Sequence, residues 1–216
     1  MRGILGNLHM QNEASCAELA PRLSQPLPYS LVTLTKTNNM VFVAKLFVLA
    51  LTAAATPILR RDAVTVENDI TQKIGPQVQT LDNDVKGFPA SGLAGALTID
   101  NDSKTLVAIV NDATIDTQNA GSFSESDATS VVQAANNLLS PLLGTLSTIK
   151  DQTDAWAALP GGEALVLTDL QSLNGSFFHF TSALIEAAPS DLVPVATSIK
   201  TQIALAFTSA IAAYSS

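Results

Sequence analysis

The sequence predicts an all-α protein, a five-helix up-and-down amphipathic bundle preceded by a cleaved secretory leader. Three observations carry that reading. From Val64 onward apolar residues recur at spacings of three and four, which is the helical period. Strand-like alternation is nearly absent, and turn signals at Gly87-Phe88-Pro89, Asn119-Ala120-Gly121, Pro160-Gly161-Gly162 and Pro189 divide the segment into five. Short connections between them favour antiparallel neighbours.

The first helix is expected over Val64–Lys86, with Val66, Ile70, Ile74, Val78, Leu81 and Val85 on one stripe and a kink at Gly75-Pro76. The second, Ser91–Gln118, carries Leu93, Leu97, Leu106, Val107, Val110 and Ala113; Asp100-Asn101-Asp102 is its weakest helical stretch. Ser124-Glu125-Ser126-Asp127 has the form of a capping motif and opens the third helix. That helix keeps its period through Ala128, Val131, Ala135, Leu138, Leu142, Leu146, Ile149 and Trp156 down to about Ala158, and Pro141 interrupts its hydrogen-bond ladder. The fourth, Glu163–Ala187, aligns Val166, Leu170, Leu173, Phe177, Phe180 and Leu184. The fifth, Ser190–Tyr214, aligns Leu192, Val195, Ile199, Ile203, Ala206, Phe207 and Ala210.

Upstream, Met40–Arg61 has the order of a secretory leader: Lys45 as the positive region, Leu46–Leu51 as the apolar region, and Ala53-Ala54-Ala55 as a small-residue cleavage site. The apolar run is too short to span a bilayer. Arg60-Arg61 reads as a dibasic processing site. The expected divisions are therefore a non-native or untranslated extension over 1–39, a signal peptide over 40–55 ending at Ala55, a short pro-segment over 56–61, and a helical-bundle domain over 62–216.

The domain left after processing holds five lysines, no arginine, and thirteen Asp with four Glu, a net charge of −12 against −8 for the whole chain. Nucleic acid and anionic membranes are poor partners for such a surface. The single cysteine, Cys16, falls in the extension, so packing alone must hold the exported domain.

Catalytic residues are expected to be none: the domain has one histidine, no cysteine and no G-x-S-x-G elbow. His179 points away from the Leu173–Phe177–Leu184 stripe and reads as an exposed, unremarkable side chain. No metal ligand set and no cofactor are expected. The acid pairs Asp82/Asp84, Asp100/Asp102 and Asp151/Asp154 lack the EF-hand loop pattern and read as a solvated acidic face. Asn101-Asp102-Ser103 and Asn174-Gly175-Ser176 are glycosylation sequons; Asn101 is the better candidate, and Asn174 sits beside an apolar stripe.

Four segments in order, the Val66–Ile70 opening, Ser122–Asp127, Leu138–Leu143 around Pro141, and the Ala-rich end Ala206–Ser215, resemble the fungal hydrophobic surface binding protein family, which includes the cell-wall galactomannoproteins. The resemblance covers Asp62 to Ser216. It implies a secreted or wall-associated helical bundle without catalytic residues. Some members enclose a fatty acid or other lipid; others adsorb to hydrophobic surfaces and help recruit polymer-degrading enzymes. The chain lacks the Ser/Thr-rich stalk and hydrophobic tail of the anchored wall proteins, so covalent wall attachment is not expected, and neither is a transmembrane anchor.

Two functions follow as alternatives. In the first, the stripes of helices three, four and five face one another, and Leu138, Leu142, Leu146, Leu173, Phe177, Ile203 and Phe207 line a lumen that takes a fatty acid or other apolar ligand. Pro76 and Pro141 bend their helices away from ideal packing and hold the gap open. The same stripes would also suit a dry, closed core. In the second, exposed Ile115, Phe123, Phe178 and Ile185 attach the protein to hydrophobic surfaces or cell-wall polymers. A homodimer is left open.

Overall fold

The computed structural model describes residues 62–215, so the leader, its processing residues Ala55, Arg60 and Arg61, and the extension lie outside the described residues. Within them the chain is helical nearly throughout. Helix α1 spans 62–87, with a π-helical stretch, Asp69–Ile74, inserted before the α-helical Gly75–Gly87. Then follow α2 (Gly92–Ala120), α3 (Glu125–Asp151), a short α4 (Thr153–Ala157), α5 (Gly162–Ala187) and α6 (Val193–Ala213).

The expected kink at Gly75-Pro76 takes the form of the π stretch. Proline has no N–H and crowds the preceding turn; one extra residue in the turn before it relieves both, and the Gly75 N–H bonds back five residues to the Ile70 carbonyl. The Ser124 cap is as read: its hydroxyl oxygen accepts from the Asp127 N–H at 3.3 Å. Helix three is shorter than expected. It stops at Gln152, whose side-chain amide donates to the carbonyls of Val85 and Phe88 at 2.9 and 2.7 Å, and Trp156 belongs to the separate α4. The Pro160-Gly161-Gly162 break is real and both glycines are needed: Gly161 has φ +79°, and a Cβ on Gly162 would lie 2.4 Å from the Trp156 carbonyl oxygen.

Two stripes need correcting. Leu93 and Leu97 are exposed (60% and 55%), and the buried face of α2 is Ala96, Ile99, Ser103, Leu106, Val110, Ala113 and Thr117. At about 100° per residue, the nine positions from Leu97 to Leu106 amount to a half-turn offset, so those leucines cannot share one face. Val195, in the first turn of α6, is also exposed, while Ile199, Ile203, Phe207 and Ala210 are buried as expected. Nor is the Asp100-Asn101-Asp102 stretch weak: it lies inside a continuous helix, with Asp100 paired to Lys104 at 2.8 Å and Asp102 accepting from Gln77 at 3.3 Å.

The five long helices close into a ring. Around it the order is α1, α2, α5, α6, α3 and back to α1. Cross-links give the directions. Gln77 to Asp102 and Lys200 to Ser182 mark antiparallel hairpins α1/α2 and α5/α6. Thr145 to Asp82 and Gln152 to Val85 make α3 parallel to α1. The direction still alternates along the chain, as in an up-and-down bundle, but α2 and α3 are consecutive without being ring neighbours, and so are α3 and α5. The connections between them must therefore cross the ends of the ring. Residue 123 crosses one end, its N–H donating to the Ala187 carbonyl at 2.9 Å. Helix α4 crosses the other.

Helix α6 is by length and composition apolar enough to cross a membrane. In this fold its Ile199–Ile203–Phe207–Ala210 stripe is packed into the ring, and Tyr214 just beyond it donates its hydroxyl to the Ile149 carbonyl of α3.

Candidate functional site: the axis of a five-helix ring

Closed rings of five helices have a predictable interior. At the usual interaxial distance of about 8–10 Å, the helix axes stand about 7–8.5 Å from the ring's own axis. A helix with its side chains has a radius of about 5–6 Å, which leaves an axial channel roughly 2–3 Å in radius. That width is filled by a few inward Leu, Ile and Phe side chains or by one extended acyl chain.

All seven candidate lumen residues are buried, within one continuous apolar cluster: Leu138, Leu142 and Leu146 on α3, Leu173 and Phe177 on α5, Ile203 and Phe207 on α6. The rings of Phe177 and Phe207 meet at 5.8 Å between centroids. These three helices are consecutive members of the ring, so the candidates cover one side of its axis. The other side is Ile74, Val78 and Leu81 of α1 with Leu106 and Val110 of α2, all fully buried. Their stripes were legible in the sequence. Their position opposite α5 and α6 depends on the ring order, which periodicity does not contain.

Aromatic side chains lie at both ends. At one, Trp156 (0% exposed) lies on Phe88 with ring centroids 4.3 Å apart. At the other, Phe123 is drawn inward with the crossing connection and is buried, contrary to the expectation that it is exposed. Ile185 is half-buried. Ile115 and Phe178 are exposed as expected, though the Lys200 ammonium sits 3.9 Å above the Phe178 ring. His179 is exposed beside Phe178.

The acidic residues are not one solvated face. Asp82, Asp69 and Asp169 are buried. Asp82 is tied to Lys86 and accepts from the Thr145 hydroxyl of α3 at 3.3 Å; Asp69 is tied to Lys73 at 2.6 Å. Three carboxyl pairs then line the seams of α2. Asp116 lies against Asp69 and Asp102 against Asp84, both across α1/α2, while Asp100 lies against Asp169 across α2/α5. One oxygen each of Asp69, Asp102 and Asp169 is buried with no protein donor, as expected where a carboxyl proton is shared with a neighbouring acid. Burial first, then the neighbouring acid, raises Asp102 and Asp116, and raises Asp169 to about 7; Lys104 opposes the shift at Asp169. Asp84 and Asp100 were each read as solvated, and the seams they face explain the difference. Asp151 and Asp154 are exposed, as read.

Of the sequons, Asn101 is exposed and Asn174 half-buried; Ser103 and Ser176 are buried.

Comparison with known proteins agrees with this architecture. The crystal structure of Afmp4p in complex with palmitic acid is 27% identical, with a TM-score of 0.67 over 71% of this chain and 99% of that one. Ligand binding domain 1 of the Penicillium marneffei MP1 protein, complexed with arachidonic acids, has a TM-score of 0.66 at 18% identity, over 71% of this chain and 99% of that one. Domain 2 of that protein, complexed with multiple arachidonic acids, has a TM-score of 0.65 at 16% identity, over 70% and 96%. At those identities the two MP1 domains show the shared fold. No curated protein matches the chain. The family model described as hydrophobic surface binding protein A matches residues 63–186, more than half of the chain and most of the helical ring, and the protein belongs to that family.

Proposed function

We propose that the protein is a secreted, non-enzymatic lipid-binding protein that holds a fatty acid or similar single-chain apolar ligand along the axis of the ring. The observation that carries this reading is the closed five-helix ring with an apolar interior stripe on every member and aromatic side chains at both ends. The palmitic acid complex of Afmp4p, at 27% identity over nearly all of that chain, supports it. Burying a methylene is worth about 0.8 kcal/mol, so a fully buried sixteen-carbon chain supplies about 12 kcal/mol before association costs of at least about 4 kcal/mol, which leaves micromolar-class binding without a charged anchor.

Two substitutions test the lumen. Phe177→Trp and Leu142→Trp fill the axis and are expected to weaken displacement of a fluorescent fatty acid by palmitic acid more than they lower the melting temperature, although overpacking alone costs about 1–3 kcal/mol. Asp151→Asn, on the solvated surface, should change neither. If both Trp variants bind like the parent, the ligand does not run along the axis.

A second reading, adsorption to hydrophobic surfaces with recruitment of hydrolytic enzymes, is favoured by the exposed Leu93, Leu97, Ile115, Phe178 and Leu205. A protein free of extractable lipid that still coats hydrophobic beads would support it over the first.

Export, with cleavage after Ala55 and then after Arg61, is part of the same proposal, as is an extracellular or wall-associated location with a glycan on Asn101. Intact mass and N-terminal sequencing of protein from the culture medium should give a start at Asp62 and a glycan-sized increment. A secreted form retaining residues 1–39 would refute the processing scheme.

A further inference from the structure

Trp156 on Phe88 lies at one end of the ring and Phe123 at the other, beside a pocket lined by Thr117, Gly121 and Ala187, and the side wall has an opening of its own. The wall between α1 and α3 is interrupted there. A cleft of about 230 Å³ opens between the π-helical stretch of α1 and the middle of α3. Its floor is Ile70, Ala134 and Leu138, all buried, and its rim is Thr71, Gly75, Asn137 and Pro141. Leu138 therefore belongs to both the cleft and the candidate lumen.

Backbone chemistry in this wall is unusual. Pro141 has no N–H to donate to the Asn137 carbonyl one turn earlier, and Pro76 has none for the carbonyls of Thr71 or Gln72. Two prolines on facing helices thus leave backbone acceptors without a helical N–H partner on Thr71 or Gln72 and on Asn137, exposed residues at or beside the notch. The Thr71 hydroxyl is already committed as a donor to the Glu67 carbonyl at 2.9 Å, and the Asn137 side-chain amide makes no hydrogen bond within the described residues. Gly75 lines the notch without a side chain, and a Cβ there would lie 3.2 Å from the Ile70 carbonyl oxygen of its own helix.

No charged residue lines the cleft. On α1 the nearest titratable groups are Glu67, one turn before Thr71, and the Lys73–Asp69 pair, which is turned toward Asp116 and Asp112 of α2. Helix α3 carries no titratable residue between Asp127 and Lys150. A carboxylate would find acceptors and no cation, whereas a group that donates a hydrogen bond would find partners.

We propose that this α1–α3 cleft is the mouth of the lumen and the head-group site, and that it selects single-chain lipids whose polar end is a neutral hydrogen-bond donor, a protonated carboxylic acid or an alcohol. The proposal rests on the lipid-binding reading above. The chain of the ligand passes Leu138 into the ring, and its hydroxyl donates to the backbone acceptors that the prolines leave free.

The test compares palmitic acid with the sixteen-carbon alcohol in displacement of a fluorescent acyl probe, from about pH 5 to about pH 9, with a thermal melt on each sample. The alcohol's affinity should stay flat, while that of the acid should fall as its carboxyl group ionises. The alcohol arm also controls for any loosening of the α2 seams with pH. Pro141→Ala restores the N–H that the Asn137 carbonyl lacks; it should weaken the alcohol by about three- to ten-fold, the worth of one hydrogen bond, without lowering the melting temperature. Ala134→Leu, which fills the cleft floor, is the second variant and should weaken both ligands. Equal binding of acid and alcohol at about pH 9, or Pro141→Ala and Ala134→Leu proteins that bind like the parent, would overturn the mouth while leaving an axial site intact. A parent protein that binds neither ligand would overturn the lipid-binding reading itself.

Discussion

Replacing Trp156 with alanine is expected to destabilise the domain by about 3–5 kcal/mol, the range for removing a fully buried large aromatic residue. Trp156 has no solvent exposure, lies on Phe88, and is part of the short α4 that crosses one end of the ring. Its loss opens a void where the ends of α1, α3 and α5 meet, and Gly162, packed against the Trp156 carbonyl, leaves that corner little freedom to collapse. Trp156→Phe should be much milder. The indole N–H is buried without a partner, so deleting it removes an unpaired donor and offsets part of the lost packing. Urea melts followed by circular dichroism read both variants, since the chain has only one tryptophan. An alanine variant within about 1 kcal/mol of the parent would mean that this residue does not close the ring.

Acidification should stabilise the protein. Asp169 is held at about 7 by burial and the neighbouring Asp100, against an ordinary carboxylate value near 3.8, and Asp102 and Asp116 are displaced in the same direction. Because the folded state binds these protons more tightly than the unfolded chain, their contribution is complete below the ordinary carboxylate value. It is lost as pH rises through about 7. The rise from 3.8 to about 7 is worth on the order of 4 kcal/mol for Asp169 as an upper limit, and less to the extent that solvent screens the carboxyl group. Asp169→Asn supplies a neutral donor to Asp100 at every pH, so it should flatten the profile between about pH 5 and pH 8 and stabilise the protein at the upper end. Stability that instead rises from about pH 5 to pH 8 would show that these acids are charged in the folded state. All three pairs involve α2, which makes the seams of that helix the ones that weaken as the pH rises.

What the sequence determined by itself is what neighbours a few residues apart decide. The stripe of α5, Val166 through Leu184, is buried at every position named, because one helix turn brings those side chains to one face whatever lies opposite. The Ser124 cap and the Pro160-Gly161-Gly162 break are equally local, set by one hydroxyl and by two residues without a side-chain carbon. Family membership was legible for the same reason, in short ordered segments. Leu93 and Leu97 were misread within that local reach, since spacings of three and four were followed without summing the angle to Leu106.

Only the tertiary structure decided which helices adjoin. Ring order brings Asp69 against Asp116 and Asp100 against Asp169, turning acids that look solvated into facing carboxyl pairs in the seams of α2. It carries Phe123 from an exposed connection to the cap of one end, and it sets Ile74, Val78 and Leu106 opposite the candidates on α5 and α6. Pro76 and Pro141 were each visible as local interruptions; that Pro141 and Gly75, the residue before Pro76, border one cleft follows from α1 and α3 lying side by side. Periodicity specifies the face a helix buries, and it contains no term for the partner, because apolar stripes of Leu, Ile and Phe fit many neighbours about equally well.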